Sequence, residues 1–212
     1  MTQALYQRML NTLKKDTPVK RVQLGLNWTA VHAGGIGLCF SPVDVPRTLT
    51  WPGTLSGRNG AELASWLLSW NTAEAAVGLA TLNAITNRNN PLCRDAVILR
   101  NNAPGHLSVF EHFRPLLGNA SVIVIGHYPG LDQIWSDLHY RIIEKRPQTG
   151  DLPDTAAEWL LPDADWVFIS ASSIANKSVG RLLALAHNAK VVLMGPSLPW
   201  LDMWYEYGVD YL

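Results

Sequence analysis

The residue types able to move a proton or grip a small molecule gather in three short turns of the second half of the chain. The first turn reads Ile125-Gly126-His127-Tyr128-Pro129-Gly130. The imidazole of His127 can serve as general acid or base, the alternative being a plain surface histidine. Gly126 ends an apolar run where a Rossmann nucleotide loop would place its first glycine. The later glycines of that fingerprint are missing, however, and Pro129 removes a backbone N–H from any phosphate cradle. Standard NAD or FAD binding is therefore not expected, and no cofactor is assigned. Glu144 follows at the separation at which an acidic residue takes a ribose hydroxyl, or else it is a solvated residue before Lys145-Arg146. The second turn, Ser170-Ala171-Ser172-Ser173-Ile174-Ala175-Asn176-Lys177-Ser178, offers small hydroxyl residues that let a ligand approach closely. Asn176 there is an N-cap, a ligand contact, or both. The third, Gly195-Pro196-Ser197-Leu198-Pro199, is rigid and carries one hydroxyl.

In the first half, the informative segment is Glu74-Ala75-Ala76-Val77-Gly78-Leu79-Ala80-Thr81-Leu82-Asn83-Ala84. At helical spacing Asn83 shares a side with Ala76, Leu79 and Ala80, so its amide faces a close-packed or cleft-lining surface. It is there a structural amide or a ligand-reading one. Glu74 lies nearly opposite and is a helix cap or, alternatively, a base. The histidines His32, His106, His112, His127, His139 and His187 form neither a zinc-type cluster nor an i, i+4 pair, so no protein-built metal site is expected. No Gly-x-Ser-x-Gly elbow is present. Cys39 and Cys93 lack metal-ligand spacing and read as free thiols.

Elements must hold these residues in place. Leu5, Met9, Leu10 and Leu13 recur at helical spacing and predict a helix over Thr2 to Lys15. Val22, Leu24 and Leu26 alternate. Thr29 to Ala33 and Ile36 to Phe40 then read as two strands joined through Gly34-Gly35, giving an antiparallel meander. Ser41 to Gly60 is a loop rich in Pro, Gly and Thr. Helices follow over Ala61 to Trp70 and Asn71 to Asn87, the second opened by Asn71 and Glu74 in capping-box spacing. The polar run Asn87-Arg88-Asn89-Asn90-Pro91 is read as a domain boundary, giving domains 1–90 and 91–212. Beyond it strands at Ser121 to Ile125, His139 to Glu144, Trp166 to Ser170 and Lys190 to Met194 alternate with helices. Those helices lie near Leu131 to Asp137, Thr155 to Leu161, Lys177 to Asn188 and Leu201 to Tyr207. Such alternation predicts a Rossmann-like α/β domain, an open, mainly parallel sheet with helices on both faces. Ligands are expected outside the carboxyl ends of its strands, where the three turns would converge.

Composition narrows the function classes. Hydrophobic residues make up 48% of the 212-residue chain, enough for a sizeable core. The 17 basic residues balance the 17 acidic ones, so nucleic acid is not an expected partner. No run approaches a membrane span and the start lacks a secretory pattern, so a cytoplasmic protein without membrane contact is expected. Trp200, Trp204, Tyr205, Tyr207 and Tyr211 crowd the last segment, as core packing or as the interface of a homodimer.

Several segments together resemble one known family, the heavy-metal chelation proteins grouped as domain of unknown function 364. They are Gly25-Leu26-Asn27-Trp28-Thr29-Ala30-Val31, the helix Gly78 to Ala84, Ile125 to Pro129, Asp163-Ala164-Asp165-Trp166-Val167-Phe168-Ile169, and Gly195 to Pro199. The chain departs from the family pattern at Ser170-Ala171-Ser172 and Ala175-Asn176-Lys177-Ser178, where Thr-Gly-Ser/Thr and Val-Asn-Gly-Thr are expected. The resemblance implies a small α+β enolase N-terminal-like domain followed by the Rossmann-like one. By analogy it also implies a site between them, with Asn83 and Trp28 or Thr29 facing the Rossmann loops. Two functional readings follow. One is an enzyme of metal-chelator or pterin- or flavin-like metabolism, working by condensation, hydrolysis or group transfer. In it Ser172, Ser173, Asn176, Ser197, Gly126 and Gly195 orient the ligand, and His127 moves the proton. The other is a non-catalytic binding protein for a metal chelate or metallophore.

Overall fold

The computed structural model describes residues 2–13, 17–42 and 53–212. The chain runs α1 (Thr2–Asn11), β1 (Arg21–Leu24), β2 (Trp28–Ala33), β3 (Gly35–Phe40), α2 (Gly60–Ser65), α3 (Thr72–Thr86), α4 (Pro91–Arg94) and α5 (Ser108–Leu117). It continues β4 (Val122–Ile125), α6 (Leu131–Ile134), β5 (Tyr140–Glu144), β6 (Leu152–Pro153), α7 (Ala157–Leu160) and β7 (Trp166–Ser170). The last elements are α8 (Ser172–Ala175), α9 (Val179–Leu185), β8 (Lys190–Met194) and α10 (Met203–Glu206). Residues 43–52 of the predicted 41–60 loop lie outside the described residues.

Two compact units share the chain. The first comprises Met1–Asp95, Ala171–Gly180 and Pro196–Asp202; the second comprises Ala96–Ser170, Arg181–Gly195 and Met203–Leu212.

In the first unit β1, β2 and β3 form the expected antiparallel meander, with Trp28 opposite Phe40 and Val31 opposite Gly37. The hairpin turns at Gly34, whose φ of +75° suits glycine. Helix α3 packs on β2 and β3 and against α2, and every residue from Ala75 to Ala84 is buried. Small side chains make this possible. A Cβ on Gly37 would fall 2.1 Å from the Ala80 carbonyl oxygen, and one on Gly78 2.1 Å from the Leu67 nitrogen. Backbone therefore touches backbone on two sides of the helix, which excludes side chains there. Asn71 caps α3, its Oδ1 accepting from the N–H groups of Ala73 and Glu74. The expected capping box is relayed: Asn71 N–H donates to Ser69 Oγ, whose hydroxyl donates to Glu74 Oε2 at 2.5 Å.

The second unit is built on a five-stranded, wholly parallel sheet of order β6-β5-β4-β7-β8. Strands β5 and β7 lie on opposite sides of β4, so the winding direction reverses there, as in doubly wound folds. The strands read as continuous apolar runs because both faces are covered. On one face Val122, Val124, Phe168, Val192 and Met194 pack with Phe110, Phe113, Leu117, Leu131 and Trp135. The alternate residues Ile123, Ile143, Val167, Ile169, Val191 and Leu193 are also buried. Part of the aromatic tail packs here, although Tyr205 and Tyr211 remain 49% and 39% exposed. Trp204 is fully buried, and Tyr211 stacks on Trp166 at 6.0 Å while bridging to Val192.

Several helices start elsewhere than the sequence suggests, α7 at Ala157 rather than Thr155 and α10 at Met203 rather than Leu201. A short α8 follows β7 at once, and α9 begins at Val179 rather than Lys177. Lys177 adopts φ +70°, which no right-handed helix tolerates, and Asn176 Oδ1 accepts from both the N–H and the hydroxyl of Ser178. Asn176 therefore closes a local turn instead of capping the helix. Helix α5, unread in the sequence, covers one sheet face with Phe110, Phe113 and Leu117. No helix among the described residues is long and apolar enough to cross a membrane.

Candidate functional site

Polar residues collect at two places, one in each unit. In the second unit, parallel register sets Ile125 beside Ile169 and Ser170 beside Met194, so β4, β7 and β8 end along one edge. Gly126 leaves β4 at φ +109°, and a Cβ there would lie 3.2 Å from that of Ser170. The turn is fixed from both sides. Gly126 N–H donates to the Ile143 carbonyl, and His127 N–H donates to Glu144 Oε2 at 3.0 Å. Glu144 Oε1 accepts from Arg146 N–H, so both of its oxygens hold backbone. Tyr128 packs edge-on against Phe110 at 4.7 Å; burial pushes its phenol up, opposed by a hydrogen bond with Ser170. Pro129 is exposed, and its carbonyl accepts from the His106 ring at 3.0 Å.

His127 meets Asp151 in this turn. Its Nδ1 lies 3.0 Å from Oδ2 and 3.2 Å from Oδ1, and the carboxylate is held in turn by Gln148 N–H at 3.0 Å. Asp151 is 3% exposed and the histidine side chain 26%. An ionised carboxylate only accepts, so a neutral ring in this position carries its proton on Nδ1 and presents the Nε2 lone pair. Among the described residues nothing else hydrogen-bonds that ring. This is the geometry of an oriented general base.

The first unit holds a buried polar corner where α8 packs against α3 and β3. Asn83, 1% exposed, donates through Nδ2 to the Leu38 carbonyl at 2.9 Å and the Ser197 carbonyl at 3.0 Å. Two carbonyl acceptors fix the amide orientation, which leaves Oδ1 buried without a partner. Ser173 Oγ is likewise buried and unpartnered. Ser197 Oγ accepts from Phe40 N–H at 2.9 Å and is hydrogen-bonded with Cys39, whose thiol burial pushes up to about 12. Thr29 is fully buried and shares a 3.0 Å hydrogen bond with Ser41. Burial also lowers the Lys177 amine to about 8.

The structure thus brings together Gly126, His127, Pro129 and Glu144 in one unit, and Asn83, Ser173 and Ser197 in the other. Other candidates stand apart. Glu74 sits nine positions before Asn83 on α3, roughly 13 Å along the axis at ~1.5 Å per residue. Trp28 lies 39% exposed against Phe40 on the outer face of the meander. Asn176 and Gly195 are exposed, and Ser172 is half-buried at the start of α8. Three participants escaped the sequence reading. Asp151 returns to His127 through the β5–β6 connection without any periodic signal. Lys177 and Cys39 acquire their character from burial alone.

Among the described residues no group of three or more His, Cys, Asp or Glu side chains could hold a metal ion. The donors present among the described residues thus do not form a metal cage of that kind.

Two family models, both described as "Putative heavy-metal chelation", match the chain: DUF4213 over residues 6–86 and DUF364 over residues 108–212. A crystal structure of a DUF364-family protein of unknown function from Desulfitobacterium hafniense is similar, with 28% identity and a TM-score of 0.83. The alignment covers 98% of this chain and 83% of that one. A DUF364-family protein of unknown function from Pyrococcus horikoshii shares the fold at 19% identity and TM-score 0.73, covering 98% and 82%. No curated protein matches. The fold and site define a two-unit α/β protein with a polar edge at its parallel sheet. The chain belongs to the heavy-metal chelation family of those two models.

Proposed function

We propose that the protein is an enzyme acting on a small metal-chelator or pterin- or flavin-like molecule by condensation, hydrolysis or group transfer, with His127 as its proton-transfer group. The His127–Asp151 pair carries this reading. A carboxylate buried behind a half-buried imidazole, with the outer ring nitrogen left open at the carboxyl edge of a parallel sheet, supports acid–base chemistry there. The ligand-holding groups beside His127 in this reading are the turn amides near Gly126.

A second reading, a carrier of a metal chelate without chemistry, is favoured by the missing donor cluster among the described residues. Its metal would arrive already coordinated. Mass spectrometry and metal analysis of whatever copurifies with the native protein identify the ligand. His127→Ala should then lower its turnover by about 10²- to 10⁴-fold with affinity retained. Unchanged turnover in that variant would remove the enzyme reading's support, and a bound chelate that is never converted favours the carrier.

A further inference from the structure

Two polar atoms of the buried corner in the first unit, Asn83 Oδ1 and Ser173 Oγ, are short of a partner. Lys177, one turn after Ser173, holds a half-buried amine against the Ala175 carbonyl at 3.0 Å and 5.5 Å over the Tyr6 ring. No carboxylate of the described residues faces that amine. The ionisable groups around it are Tyr6 of α1 and Cys39 of β3, both pushed up by burial and so neutral near pH 7. A non-glycine residue at φ +70° carries backbone strain, and strain of this kind gathers at functional positions.

We propose that Lys177 is an amine nucleophile that condenses with a small α-hydroxy aldehyde or ketone. The neutral amine's lone pair attacks the carbonyl carbon, forming the C–N bond, and the oxygen takes up a proton. The resulting carbinolamine then breaks its C–O bond, loses water and leaves an imine on Nζ. No oxidant or reductant is needed. The ligand hydroxyl supplies what the corner lacks, accepting from Ser173 Oγ and donating to Asn83 Oδ1. An amine lowered to about 8 is roughly 10% neutral at pH 7, a few hundred times the neutral fraction of an ordinary lysine. Lower intrinsic nucleophilicity takes back part of that gain.

Trapping with glycolaldehyde and cyanoborohydride at pH 7, followed by peptide mass spectrometry, tests the proposal in the intact protein. The peptide readout separates Lys177 from the terminal amine. Lys177 should be alkylated at least ~10-fold faster than Lys20 and Lys145, with a rate that saturates in glycolaldehyde. In Ser173→Ala the saturation should weaken while the fast labelling persists. Labelling of Lys177 at the common lysine rate would overturn the nucleophile. Fast labelling that stays linear in glycolaldehyde, in wild type, would overturn the binding corner.

Discussion

Asp151 decides what His127 can do. Its carboxylate holds the proton on Nδ1, and Asp151→Asn offers an amide that can stabilise the other tautomer or leave the ring unfixed. Turnover of the identified ligand should fall by about 10²-fold or more in steady-state kinetics, with circular dichroism unchanged. Lys177 has its own signature in stability. Its folded pKa is about 8 against 10.5 for the free side chain, so between those values the unfolded chain binds more protons. Stability therefore rises with pH across that window, and below it the fold carries the cost of a half-buried charge. Lys177→Met removes this dependence. The unfolding midpoint of the variant relative to wild type should be highest near pH 7 and decline towards pH 10 in chemical denaturation. His127, Gly126 and Ser197 were legible because a strand end or a turn marks them. Asp151 was not, because only tertiary folding returns it to the histidine.

Helix α3 explains most of the first unit, and its Asn83 side was readable as close-packed or cleft-lining. Which of its small residues are indispensable was not readable, since that depends on what backbone arrives opposite. Gly78 meets Leu67, and Gly37 of β3 meets Ala80 and Ala84. Gly78→Ala should destabilise by about 1–3 kcal/mol or more despite alanine's better helix propensity, seen as a lower denaturation midpoint. Strands β7 and β8 match their apolar runs residue for residue, because β-branched runs between turns admit few alternatives. Helix α8 falls in a segment read as a turn, and α9 was placed two residues early. Propensity extends a helix through Lys177, but the Asn176–Ser178 hydrogen bonds and the positive φ end it.

The molecule as a whole interleaves its chain. The first unit recruits Ala171–Gly180, which follows β7 and accepts the Tyr6 hydroxyl at the Ile174 carbonyl, and Pro196–Asp202, which follows β8 and ties to Asn83, Asn87 and Asn90. The alternation of strands and helices announced the parallel sheet, but nothing in the local pattern announced this borrowing, because it rests on asparagine contacts more than a hundred residues apart. A fragment of residues 1–95 lacks those pieces and leaves Asn83 and its neighbours uncovered. Its amide spectrum should show poor dispersion where the full chain is well resolved. The order of synthesis gives the same feature another meaning. The ribosome releases the Ala- and Leu-rich α3 long before residue 202 exists to complete its surroundings. At ~5–20 residues per second the gap lasts roughly 5–20 s. For that interval the nascent first half lacks the two segments that complete its unit, so the pace of synthesis between the halves should bear on how the protein reaches its fold.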